Sequence, residues 1–165
     1  SPWSNATALN AGAPAANTED WARGVHPLWC LIFGSVPIYA AACAAGTGLV
    51  QQVTSVVGSV PDAALVTLGT TDCGAYQVPL DQTIANLRTI EASLRAQGIA
   101  HVLMAPPPPG SSPCARAIRD RMFAEDLLTG PDWFGPFPTW DGVHLTSGGY
   151  AALAGLGLDA LLAIP

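Results

Sequence analysis

The sequence predicts an α/β domain built on a parallel sheet. Three observations lead there. Short apolar runs of strand length alternate along the chain with longer segments whose apolar residues recur at helical spacing. One run, Ala63 to Leu68 (AALVTL), is continuously apolar, as expected of a parallel strand covered on both faces. The chain has 165 residues, half of them apolar, which suits one domain with a sizeable core and leaves no room for a second. Strands separated by helices imply right-handed crossovers, and ligands in such sheets sit outside the carboxyl ends of the strands.

The elements follow in order. Asn17 and Thr18 are both N-cap candidates for a helix carrying Trp21, Val25, Leu28 or Trp29, and Ile32 on one face, with Gly34 as its stop. Val36 to Cys43 (VPIYAAAC) reads as a short buried strand. Gly46-Thr47-Gly48 turns the chain into a helix from Leu49 to about Val57, broken by Pro61-Asp62. After the strand Ala63 to Leu68 comes the clearest helix, Asp81 to Gln97, with Ile84, Leu87, Ile90 and Leu94 on one face and Gly98 as the stop. Ile99 to Ala105 is a second buried strand, followed by a stiff proline loop. Cys114 to Leu128 reads as a helix, Asp132 to Trp140 as an irregular aromatic segment, and Thr146 caps a last helix to about Leu162.

Composition removes several function classes. Six Lys and Arg against twelve Asp and Glu give a net charge of −6, which opposes a nucleic-acid footprint and a polybasic membrane patch. The longest apolar stretch, Leu28 to Val36, is about half of what a transmembrane helix needs. The opening Ser1-Pro2-Trp3-Ser4 has no signal-peptide pattern, which fits a mature exported domain or one cut from a longer protein. Cys30, Cys43, Cys73 and Cys114 form no CxxC and sit beside no His at zinc spacing, so no metal site is expected. Their even count fits two disulfides in an oxidising compartment, with four buried thiols as the alternative.

Three loops carry polar residues where chemistry would sit: Ala44 to Gly48, Gly69 to Cys73, and Trp140 to Thr146. His26 and His101 have no such surroundings and read as ordinary surface or core residues. His144 differs because Asp141 precedes it by three residues, across a glycine that permits a tight turn. At that spacing a carboxylate reaches one ring nitrogen and orients the other towards a substrate.

At these residues the chain resembles the SGNH (GDSL-type) hydrolases. DGVHLTSGGYAALA resembles their last block, where the triad Asp and His lie three residues apart before the C-terminal helix. ALVTLGTTD resembles their third block, a strand followed by Gly-x-Asn-Asp, and CAAGTG resembles the second, whose glycine N–H helps form the oxyanion hole. The resemblance runs from about Val36 to the end. It implies a three-layer α/β/α, flavodoxin-like fold, ester hydrolysis or acyl transfer by a serine nucleophile, and no cofactor. More loosely, the composition resembles the SGNH domains attached to bacterial membrane acyltransferases that modify glycans. The resemblance therefore implies a small-molecule or glycan ester substrate and a secreted or cell-envelope location in a bacterium.

Two departures qualify it. Thr71 stands where the family has the oxyanion-hole Asn, and the loss of such a donor costs about 10²–10³ in rate. Asp72 beside it is expected to brace the loop. The family's Gly-Asp-Ser block is not visible. Ser35 is unsuitable because it precedes the expected strand Val36 to Cys43 and lies 36 residues before Thr71. Ser1, 70 residues before Thr71 and 143 before His144, fits the spacing, with Ser4 as the fallback. The strand that carries the nucleophile would then be missing, leaving a slot beside Ala63 to Leu68. An upstream segment or a second chain is expected to fill it, since buried unpaired backbone groups are costly.

Within this picture the cysteines pair as Cys73 with Cys114 and Cys30 with Cys43, although four cysteines allow three pairings. The loop Trp133 to Trp140 either lines an acyl or sugar pocket or plugs the end of the sheet. Asn5-Ala6-Thr7 is a glycosylation sequon. Ser1, His144 and Asp141 would form the triad, with Gly46 and Thr71 holding the oxyanion. The competing expectation is a catalytically weak or inactive domain of the same fold that binds glycan or a partner protein.

Overall fold

A computed structural model describes residues 13, 15–107, 112–132, 137–139, 141 and 144–164. Helix α1 (Thr18–Ala22) begins at Asn17, whose side chain accepts the Asp20 N–H while Asp20 accepts the Asn17 N–H, a reciprocal capping box. The single helix expected to reach Ile32 is instead two. Pro27 has no N–H to continue it, and the chain restarts as α2 (Pro27–Phe33), capped by the His26 ring accepting the Leu28 N–H. Asp20 closes the intervening turn by accepting the His26 N–H at 3.0 Å. The expected common face is lost with the break: Trp21 is buried, whereas Leu28 and Ile32 face solvent.

The strand expected over Val36 to Cys43 is also corrected. The segment is helix α3 (Pro37–Ala45), with proline at its first turn and five alanines among nine residues, the best helix-forming composition available. Gly46 ends it in the left-handed conformation, φ 66°. Ser35 thus lies between two helices, not at the amino end of a strand. A 3₁₀ turn (Leu49–Gln52) runs into α4 (Val53–Val57), as expected of that region.

Strand β1 (Ala63–Thr67) pairs in parallel with β2 (His101–Ala105), Ala63 opposite His101 and Thr67 opposite Ala105. Helix α5 (Leu80–Ala96) makes the crossover between them. Its apolar face, Ile84, Leu87, Ile90 and Leu94, is buried as its periodicity required. Helix α6 (Pro113–Ala124) stops short of Leu128, the chain reversing through Asp126 at φ 54°. Helix α7 (Ser147–Leu162) starts at the expected cap, Thr146, which accepts the Gly149 N–H.

The molecule is therefore mixed α/β with a two-stranded parallel sheet among the described residues. The main core joins α1, α3, the 3₁₀ turn and α5 to the sheet around Tyr39, Leu49, Ile90 and Met104. The two edges of the sheet differ. Thr129 closes the outer edge of β2, its hydroxyl accepting the Met104 N–H and donating to the Val102 carbonyl, and Gly130 N–H adds a bond to the Met104 carbonyl. The outer edge of β1 has no comparable partner among the described residues, and no β1 residue is fully buried, contrary to the double coverage its sequence suggests.

Both disulfides form, Cys30–Cys43 and Cys73–Cys114, and no described cysteine is free. They bespeak an oxidising, extracytoplasmic environment. The second closes a loop of 41 residues against 13 for the first. On loop entropy alone the bridges contribute about 4 and about 3 kcal/mol. Cys73→Ala/Cys114→Ala is therefore expected to lower the unfolding free energy more than Cys30→Ala/Cys43→Ala, as read by guanidinium titration of each variant.

Tyr39 is fully buried, stacked on Phe33 with ring centroids 5.4 Å apart. Burial chiefly, and then the nearby Asp20 carboxylate and Tyr76, raise its phenol well above the ordinary value near 10. Stability is therefore complete below that value. It falls once the unfolded chain's tyrosine ionises while the folded one keeps its proton. Unfolding titrations from pH 8 to 11.5 are expected to show a loss beginning near pH 10 that is shallower in Tyr39→Phe.

Candidate active site

The loop before α7 is held by a short strap. Thr139 and Leu145 form an antiparallel bridge, and the Thr146 N–H donates to the Pro138 carbonyl at 2.9 Å. Gly149, in the first turn of α7, lies against this strap so closely that a Cβ there would sit 2.7 Å from the Pro138 oxygen and 3.1 Å from the Leu145 Cβ. Leu145 and Leu153, with Phe137 beside them, form a small apolar cluster with Ala105, the last residue of β2. The strap is thereby fixed at the carboxyl end of the sheet, where α/β domains place their ligands.

Asp141 and His144 sit on this strap and are in contact. One Asp141 oxygen accepts the His144 backbone N–H at 2.6 Å, and the other meets the His144 Nδ1 at 2.6 Å. An ionised carboxylate only accepts, so in the neutral imidazole Nδ1 carries the proton and Nε2 presents its lone pair. The backbone bond fixes the carboxylate and the ring bond fixes the imidazole, so the pair is oriented by its own loop. The His144 side chain is 61% exposed and that of Asp141 31%, which leaves the imidazole accessible to a substrate. The pair has the geometry that a general base and its orienting carboxylate require.

Thr71 lies at the same end of the sheet. The loop after β1 meets the segment after β2: the Thr67 hydroxyl donates to the Pro106 carbonyl, and Gly69 packs against Ile118 and Pro107. Thr71 opens a π-helical turn (Asp72–Tyr76). Such turns are rare and cluster at functional sites. Asp72 does brace this turn. Fully buried, it accepts the Thr18 N–H at 2.8 Å, the Thr18 hydroxyl, and the Thr83 hydroxyl at 2.8 Å. Asn86 extends the network by donating to the Thr18 oxygen and accepting from Arg23 and Gln82. The part played by Thr18, Thr83 and Asn86 was not visible in the sequence. A polar residue interrupting a helix's apolar face, as Thr83 and Asn86 do beside Ile84 and Leu87, is the signal that marks such a network.

Gly46 is placed differently. It follows a helix rather than a strand, and its N–H donates to the Ala42 carbonyl. Helix α3 packs chiefly on α2, the 3₁₀ turn and α4. Ser1, Ser4, the sequon at Asn5 and most of the aromatic loop from Trp133 to Trp140 lie outside the described residues. Phe137 and Thr139 of that loop are within them, and Phe137 packs on the cluster under the strap. His26 caps α2 and His101 opens β2. Among the described residues no three His, Cys, Asp or Glu side chains gather as a metal ion would require. Compared with models of protein families, with curated proteins and with solved structures, the chain matches none.

Proposed function

We propose that this chain is a serine-nucleophile acyl-transfer domain of SGNH type, acting on short O-acyl esters such as acetyl groups carried by a carbohydrate. The observation that supports it most is the double contact of Asp141 with His144, one carboxylate oxygen on the ring and one on the backbone. In this reading Ser1 attacks the ester carbonyl. His144 Nε2 takes the Ser1 proton and returns it to the leaving alcohol. Water or a sugar hydroxyl then releases the acyl group by the same relay in reverse. Thr71 donates to the oxyanion. Gly46 joins it once its amide leaves the Ala42 carbonyl. The setting is secreted or cell-envelope, as in the bacterial glycan acyltransferases that the chain resembles.

The reading includes a three-layer sheet larger than the two strands described. It is supported by the outer edge of β1, unpaired among the described residues, beside which an upstream segment or second chain would add the strand that carries the nucleophile. The engaged amide of Gly46 favours a second reading, a catalytically silent domain of this kind that binds glycan or a partner protein.

A fluorophosphonate probe and p-nitrophenyl acetate separate the two. The enzyme is expected to be labelled at Ser1 and to turn over the ester, and both are expected to vanish in His144→Ala. A folded protein with neither labelling nor turnover overturns the enzymatic reading in favour of the binding domain.

A further inference from the structure

Helix α2 reads PLWCLIF, apolar at every position, and yet none of its residues is fully buried. One side faces the protein: Trp29 packs on Phe33 and Tyr76, and Cys30 is bonded to Cys43 of α3. The other side carries Leu28, Leu31 and Ile32, spaced i, i+3 and i+4, which are 50%, 85% and 53% exposed. A helix apolar all round belongs in a core or in hydrocarbon, and this one has core on one side only. The stretch of chain that contains the helix is uncharged. From Gly24 to Pro61 there is no Asp, Glu, Lys or Arg, although the protein has eighteen such residues in all.

We propose that the outer face of α2 rests in the interface of a zwitterionic lipid surface, with Leu28, Leu31 and Ile32 dipping into the acyl region. The charge-free segment from Gly24 to Pro61 suits contact with hydrocarbon, which penalises any charge brought near it. The net charge of −6 selects zwitterionic over anionic lipid. A second copy of the chain fits less well. The exposed face is three side chains on a seven-residue helix, against the roughly 20–30 residues a side of a stable interface. The mode is lying on the surface, not spanning. No single described helix is long and apolar enough to cross a membrane. The bent apolar pair formed by α3 and Leu49–Val57 has Tyr39, Ala42, Leu49 and Val50 in the core. The disulfide to α3 ties the inner side of α2 to the rest of the fold. The inference is independent of the proposed chemistry, so His144→Ala is expected to bind lipid as the parent does.

Flotation with phosphatidylcholine vesicles tests it. The parent protein is expected to float, and Leu31→Asp/Ile32→Asp is expected to partition at least tenfold less. Phe123→Asp, at an exposed phenylalanine among the charged residues of α6, is expected to float like the parent. Adding phosphatidylglycerol is expected to weaken flotation. Should the double variant fail to fold by circular dichroism, Leu31→Ser at the most exposed position gives the same comparison. Three results overturn the proposal: a parent that stays at the bottom of the gradient, a variant that floats equally well, or a light-scattering dimer that the variant dissolves.

Discussion

Asp141→Asn is expected to lower the turnover of p-nitrophenyl acetate by about 10⁴-fold without unfolding the protein. The asparagine oxygen can still accept the His144 backbone N–H, so the loop keeps its shape. Its amide nitrogen, however, can take the place of the oxygen now facing Nδ1. Facing a donor, Nδ1 becomes the acceptor and the ring proton moves to Nε2. The atom that should receive the serine proton is then already protonated. His144→Gln is expected to lose at least as much by removing the base outright, and the double variant should lose no more than His144→Gln alone, since the two residues act as one unit. Equal turnover by Asp141→Asn and the parent, with matching circular dichroism, would remove Asp141 from the mechanism.

Asp72→Ala is expected to cost about 4 kcal/mol of unfolding free energy, a large part of the 5–15 kcal/mol that a domain possesses. The substitution strands three buried donors, the Thr18 N–H and the hydroxyls of Thr18 and Thr83, each costing about 1–3 kcal/mol when left without an acceptor. Asp72→Asn, which keeps one acceptor oxygen and the side-chain volume, is expected to cost about half as much. The damage should spread beyond the turn, because Thr18 opens α1 and Thr83 lies in α5, so one carboxylate joins three elements. Denaturant titration reads both values, and a loss below about 1 kcal/mol for the alanine variant would mean that the network relaxes onto other partners.

Much of this architecture was legible along the chain. The face of α5, the stop at Gly98, the cap at Thr146 and the pair β1 and β2 follow from periodicity, capping chemistry and continuous apolar runs, all of which are local. The two cysteine pairings agree with the structure. The Asp141–His144 contact follows from a three-residue spacing, which needs no long-range information. Elsewhere the local signals are ambiguous. Val36 to Cys43 is apolar throughout, and an apolar run of that length has no period by which strand and helix can be told apart. Pro37 at the first turn and the alanine content were the better guides. At Pro27 the missing N–H outweighs the apolar spacing that continues to Ile32.

The sequence by itself thus determined which segments are helical or extended wherever a period or a cap was present, and which carboxylate and imidazole meet before the last helix. Only the tertiary structure decided that Asp72 is a buried anchor, that Gly46 spends its amide on its own helix, and that one face of α2 and the outer edge of β1 are left open among the described residues. The reason is physical. A period or a turn is written in neighbouring residues, whereas burial and hydrogen-bond satisfaction depend on residues such as Thr18 and Asp72, 54 positions apart, that only folding brings together.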